Sequence, residues 1–162
     1  MIRRANENEL DEIYLMGFDA WSESRPAETY LKACAASAKY REGAWYVLEE
    51  NGRLSSSLIV YRLTERGEGA FGLGSIATPR AERRRGRAAL LIRGVLDLLD
   101  RQGAGTVYLH SDISPAFYER LGFRALPAGL QKSPTSVCML KCAAGAFDAL
   151  LRSPGFRAPD YF

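Results

Sequence analysis

Histidine is nearly missing from this chain: His110 stands alone among 162 residues. Cysteine is scarce too, with Cys34, Cys138 and Cys142 in no framework spacing. An odd, unpatterned set argues against a disulfide scaffold and points to a reducing, cytoplasmic setting. With a single histidine, SVCMLKC offers little to a metal, so Cys138 and Cys142 read as core packing on a strand and no metal is expected. No apolar run approaches the ~18 residues of a membrane-spanning helix. The opening MIRRANENELDE has no apolar stretch of the kind a secretory signal needs. Net charge is only +3, too mild by itself to imply a nucleic-acid partner.

What is present is an ordinary globular composition, 47% apolar and 25% charged. The length suits one domain over residues 1–162. Asn6 is placed to cap a helix carrying Leu10, Ile13, Tyr14 and Phe18 at helical spacing. WSESRP breaks that helix, and a second is expected from Glu28 to Tyr40. The period then changes. AWYVLEE, Asn51-Gly52 and SSLIVYRL predict a hairpin, and AFGLGSIAT a third strand, so residues 44–78 read as an antiparallel meander. A helix with Leu91, Ile92, Val95, Leu98 and Leu99 on one face follows. TVYLH, the short helix PAFYERLG, the strands FRALP and TSVCMLKC, and a last helix FDALLRS complete the chain. The order β-α-α-β-β-β-α-β-α-β-β predicts an α+β protein with a mixed sheet. That sheet is mostly antiparallel, with one parallel β-α-β crossover, and is flanked by helices.

The charge is concentrated in PRAERRRGRAALLI, residues 79–92, where five arginines face one glutamate. Its context decides its meaning. A loop leading from a strand into a helix exposes unsatisfied N–H groups and the positive end of the helix dipole, and these bind phosphate. Gly86, Ala88 and Ala89 keep side chains small where a ligand must approach the backbone. Arginines add charge-assisted bonds to phosphate oxygens. The stretch therefore suits a pyrophosphate. The rival reading is a patch for nucleic acid, which predicts aromatic residues among the basic ones; the run has none.

Arg83-Arg84-Arg85-Gly86-Arg87-Ala88 resembles the R-x-x-G-x-A acetyl-CoA motif of the GNAT N-acetyltransferase superfamily. The preceding strand ends at Thr78, and Phe117-Tyr118-Glu119-Arg120-Leu121-Gly122-Phe123 is similar to the closing signature of that family. The resemblance implies a GNAT-like fold and an N-acetyltransferase that moves an acetyl group from acetyl-CoA to a primary amine, by direct attack in a ternary complex. It implies that the amides of Arg84, Arg85, Gly86, Arg87, Ala88 and Ala89 hold the CoA pyrophosphate, with Arg83 opening the motif. The backbone of Ile76 and Thr78 would pair with the pantetheine arm, with Ala77 between them also at the cofactor, in a splay between strands 70–78 and 106–111. An amide of the first strand would polarise the thioester carbonyl. Tyr118 would be the general acid toward the departing thiolate. Ser111, Ser114 and Phe117 would line the cofactor.

The chain departs from the motif at Arg84, where glycine is usual, at Arg87, where an apolar residue is common, and at Ser111 and Ser114, where asparagine and alanine are usual. No acid lies inside AFGLGSIAT, so the general base is open: His110 and Asp112 are the candidates, each with an ordinary structural alternative, and Glu68 reads as a turn residue. In the loop WSESRPAE, Glu23 and Glu28 are candidates for holding a cationic acceptor. A small-molecule amine is the expected acceptor, a protein amine the alternative. No membrane or nucleic-acid partner is expected, and a homodimer is compatible with the family. The competing class is a non-catalytic module that binds CoA or, through its basic patch, nucleic acid.

Overall fold

The computed structural model describes all residues, 1–162. Seven strands form a sheet in the order β1-β2-β3-β4-β5-β7-β6. They are β1 Ile2–Arg4, β2 Ala44–Glu50, β3 Arg53–Arg62, β4 Ala70–Ala77, β5 Thr106–Ser111, β6 Arg124–Ala125 and β7 Val137–Cys142. The helices are α1 Leu10–Leu15, α2 Phe18–Trp21, α3 Ala27–Ala36, α4 Ala38–Glu42, α5 Arg87–Arg101, α6 Ala116–Glu119 and α7 Ala146–Arg152. The mostly antiparallel sheet has a parallel β4–β5 pair, as the element order predicts. No helix is long and apolar enough to cross a membrane.

The chain divides into two compact units, Met1–Tyr61 with Ser75–Leu98, and Arg62–Gly74 with Leu99–Phe162. In the first unit, β1 pairs with β2 and β2 with β3, both antiparallel. The β2–β3 turn uses Asn51 and Gly52 at φ 52° and 73°, the paired positive φ that a tight hairpin twist requires. Val47, Leu58, Ile59, Leu91, Ile92 and Val95 are completely buried. Each such side chain contributes roughly 1.5–3 kcal/mol relative to exposure. Tyr14, Tyr40 and Trp45 pack ring against ring, with Tyr14 and Tyr40 stacked at 5.5 Å.

Both N-terminal helices are shorter than their apolar spacing predicts. The first stops at Leu15 and restarts at Phe18 after Gly17. The second is interrupted at Ser37, whose ψ of 118° takes it out of the helix before α4 begins. Serine bonds readily to local backbone and tolerates such a break.

In the second unit β5 is central. It pairs in parallel with β4 from Ala70↔Thr106 to Leu73↔Leu109, and antiparallel with β7 from Thr106↔Cys142 to Ser111↔Val137. FRALP yields only the two-residue strand β6, paired with β7. Leu73, Leu99, Leu109, Phe123, Met139 and Leu140 fill this core. All three cysteines are free, with Cys34 and Cys138 buried. Burial pushes the Cys138 thiol up to about 12, as expected of an inert core thiol.

Candidate active site

In the first unit the arginine loop runs from the end of β4 to the start of α5. Its backbone is unusual at two alternate positions, Arg84 at φ 62° and Gly86 at φ 78°. Left-handed residues alternating with ordinary ones turn successive N–H groups toward one side, a concavity that fits an anion. A Cβ built at Gly86 would meet nothing within 4 Å, so the space over the loop is open. The fifteen-residue α5 starts immediately after, adding unsatisfied N–H groups and its dipole. These residues fit a pyrophosphate.

The arginine side chains divide the labour. Arg83 is a brace: its Nε donates to Thr78 O at 2.9 Å, and its two terminal nitrogens grip the Asp19 carboxylate at 2.8 and 2.6 Å. The bidentate contact holds the Asp19 carboxyl below its usual range. Arg87 is tied to Glu50 and to Glu82, both at 2.6 Å, and lowers the Glu50 carboxyl. Arg85 reaches Glu82 at 3.4 Å. Arg84 makes no ion pair and is exposed. Ala88 and Ala89 lie in the first turn of α5.

Behind the loop, Ser56 is completely buried on β3. Its hydroxyl donates to Ala77 O at 2.9 Å and lies 3.0 Å from Thr78 Oγ1. Ser56 and Arg83 thus fix two successive carbonyls at the end of the strand where Ile76, Ala77 and Thr78 are expected to meet a cofactor arm. One residue earlier, Ser75 takes φ 44°, a kink inside β4, and its hydroxyl donates to Tyr40 Oη at 3.4 Å. Ser56, Ser75 and Asp19 belong to no motif in the sequence. The run Ser55-Ser56-Ser57 inside an otherwise apolar strand was the available signal for the first.

The two acceptor candidates in this unit are already paired. Glu28 accepts from Lys32 at 2.7 Å, an exposed (i, i+4) pair. Glu23 lies 3.7 Å from Arg25.

In the second unit Tyr118 sits on α6 and is 93% buried, its ring edge-on to Phe117 and Phe123 at 4.9 and 6.3 Å. Burial first, and then the Asp112 charge, push its hydroxyl up to about 12. It is a proton donor at neutral pH and cannot act there as a base. Ser111 ends β5, buried, with its hydroxyl donating to Ile113 O at 2.8 Å. Ser114 accepts the Phe117 N–H through its backbone carbonyl at 3.2 Å, opening α6. His110 and Asp112 flank Ser111. His110 Nε2 lies 3.2 Å from Asp160 O, and Tyr161 Oη donates to Asp112 Oδ2 at 3.2 Å. No group of three or more His, Cys, Asp or Glu side chains is placed to hold a metal ion.

The profile of the Acetyltransferase (GNAT) domain matches residues 1–126. The chain belongs to the GNAT acetyltransferase family. Similar solved structures agree with the fold. The PaiA N-acetyltransferase of Thermoplasma acidophilum, in complex with coenzyme A, is 12% identical with a TM-score of 0.67, covering 88% of this chain and 98% of its own. The ribosomal-protein-S18-alanine N-acetyltransferase of Escherichia coli is 20% identical with a TM-score of 0.65, covering 90% and 96%. A GNAT family acetyltransferase from Brucella melitensis, in complex with acetyl-CoA, is 26% identical with a TM-score of 0.57, covering 91% and 97%. No curated protein sequence matches the chain. This GNAT chain is an N-acetyltransferase.

Proposed function

We propose that this GNAT enzyme takes acetyl-CoA as donor and a primary amine, most simply of a small molecule, as acceptor. The observation that carries the donor assignment is the arginine loop: alternating positive φ at Arg84 and Gly86, open space over Gly86, and a long helix starting behind them. The donor supplies an acetyl thioester. The loop amides from Arg84 to Ala89 bind its pyrophosphate, with Arg84, which makes no ion pair, as the loop cation left to face phosphate. The backbone at Ile76 and Thr78 extends along the pantetheine arm in the manner of an added strand.

The acceptor amine attacks the carbonyl carbon, a C–N bond forms and the C–S bond breaks. Tyr118 Oη gives its proton to the departing sulfur, a role its protonated state permits. The proton lost by the amine goes to His110 or Asp112. No enzyme side chain is acylated in this scheme.

The nucleic-acid reading loses support from the same geometry. Asp19, Glu50 and Glu82 already neutralise Arg83 and Arg87, so little of the run is left as an open cationic surface.

The test is thermal unfolding with and without acetyl-CoA, alongside Gly86→Glu. Ligand at ~100 times its dissociation constant stabilises by ~2.7 kcal/mol. Wild type should shift and Gly86→Glu should not, because a carboxylate would occupy the cradle. A folded wild type that does not shift removes the donor assignment. Binding to DNA that falls steeply with salt and is unaffected by CoA would favour the basic-patch alternative.

A further inference from the structure

Ser75 is the one residue with a side chain that takes a positive φ, 44°, inside a strand. Such a conformation is costly away from glycine, and proteins keep it where it serves a purpose. The parallel pairing of β4 with β5 ends just before it, at Leu73↔Leu109. A kink in a strand re-aims a side chain. Here it lets the Ser75 hydroxyl donate to Tyr40 Oη at 3.4 Å. Both residues are half-buried.

Tyr40 reaches this kink from α4, the helix that restarts after the break at Ser37. Its ring is stacked on Tyr14 at 5.5 Å and lies edge-on to Trp45 at 5.2 Å. Trp45 Nε1 donates to the Tyr40 carbonyl at 3.3 Å, so ring and backbone are both held. A phenol has one hydrogen to donate and an oxygen that accepts. With Ser75 donating to that oxygen, the Tyr40 hydrogen points elsewhere, and no group of the protein accepts it. Burial pushes the Tyr40 hydroxyl up, so the hydrogen is in place at neutral pH. The Ser75 contact is long and directs the phenol more than it strengthens it.

The donor reading above says what arrives there. An arm that leaves the arginine loop and pairs at Thr78 and then at Ile76 runs back along β4. Each strand residue advances it by ~3.3 Å, so its acyl end comes level with Ser75, one residue beyond Ile76. We propose that Tyr40 is a catalytic residue whose Oη–H donates to the carbonyl oxygen of the acetyl thioester, with Ser75 as the positioning residue that aims it. This rests on the acetyl-CoA reading and adds a side-chain donor to the strand amide expected at that carbonyl. As the amine lone pair forms the C–N bond, the C=O π pair moves onto oxygen. Tyr40 steadies that oxyanion through its hydrogen and keeps its proton. The C=O then re-forms, the C–S bond breaks and the electron pair leaves with sulfur. The stacked ring needs no reorganisation for this, which is the condition under which such a donor is effective.

The test is isotope-edited infrared spectroscopy of bound acetyl-CoA labelled at the acetyl carbonyl carbon, which requires no acceptor. A hydrogen bond to a carbonyl oxygen lowers its stretching frequency. The frequency should be lowest in wild type and higher in Tyr40→Phe, which keeps the ring packing and deletes the hydrogen. Ser75→Gly should fall between them, because glycine keeps the positive φ without strain and removes only the aiming hydroxyl. In thiol-release assays Tyr40→Phe should lower kcat at least about tenfold, with a far smaller change in the KM for acetyl-CoA. A Tyr40→Phe spectrum that matches wild type overturns the catalytic role. A Ser75→Gly spectrum that matches wild type overturns the aiming role. The acetyl-CoA thermal shift is measured on the same three proteins. If all three shift and their carbonyl frequencies coincide, this inference fails and the donor reading stands. If wild type does not shift, the donor reading fails and this inference falls with it.

Discussion

The arginine loop and the end of β5 are held in opposite ways. The loop is fixed by ion pairs among half-exposed side chains, Arg83 with Asp19 and Arg87 with Glu50 and Glu82. Beyond the β5 end, Tyr118 is fixed by burial and ring packing against Phe117 and Phe123, while the half-buried His110 meets Phe162, the exposed Tyr161 ring and the Asp160 carbonyl. Charge holds the proposed anion loop. Apolar packing holds the Tyr118 ring. Ion pairs at the surface weaken with salt, whereas packed rings do not.

The strongest way to sharpen this contrast is Tyr118→Phe. It preserves the packing and deletes the proton, so kcat should fall by roughly 10²–10⁴-fold with the KM for acetyl-CoA nearly unchanged, in steady-state assays of released thiol. The raised pKa gives the sign of the pH effect. The neutral, proton-donating form persists from the ordinary value of 10.0 up to about 12, so Tyr118 causes no loss of rate as pH rises through 10.

Ser56→Ala probes packing behind the loop. It removes a buried hydroxyl that serves Ala77 O and Thr78 Oγ1. Stability should drop by about 1 kcal/mol in denaturant titration, with weaker acetyl-CoA binding. Its neighbour Ser57 is equally buried, but its hydroxyl has no hydrogen-bond partner. Ser57→Ala should therefore be neutral or mildly stabilising by the same measurement.

Asp19→Ala releases the Arg83 brace. For so exposed a pair the stability cost should be under about 1 kcal/mol. The cost should shrink further in high salt, where wild type and variant melt together. The smallest effect has the opposite sign. Arg84 holds a left-handed conformation that costs about 1–2 kcal/mol for a residue with a side chain, and glycine is usual there in the family. After the extra flexibility of an unfolded glycine, Arg84→Gly should raise stability by at most about 1 kcal/mol, with some loss of phosphate affinity.

The loop and the strand order were legible in the sequence because their causes are local. Arg83 to Ala88 is a contiguous motif, Asn51-Gly52 announces a hairpin, and Leu91, Val95 and Leu99 mark one face of a helix. The helix breaks at Gly17 and Ser37 were not, since the apolar spacing continues across them. The fastening of residues 157–162 was least visible. Its contacts join residues 110 with 160, 112 with 161 and 72 with 162, and no local pattern in RAPDYF points to β5. For the same reason no local pattern announces the ion pair of Arg83 with Asp19, 64 residues away.

Arg83, Arg87 and Ser56 are held by partners within the protein itself, which has a kinetic consequence. In the proposed anion site, a loop braced in this way loses less conformational entropy on association. Donor capture should then follow encounter without a slow rearrangement, and changes in these braces should register chiefly in how long the donor stays bound. For a transferase that must discharge a spent thiol each turnover, the residence time of that product is the quantity the braces would tune.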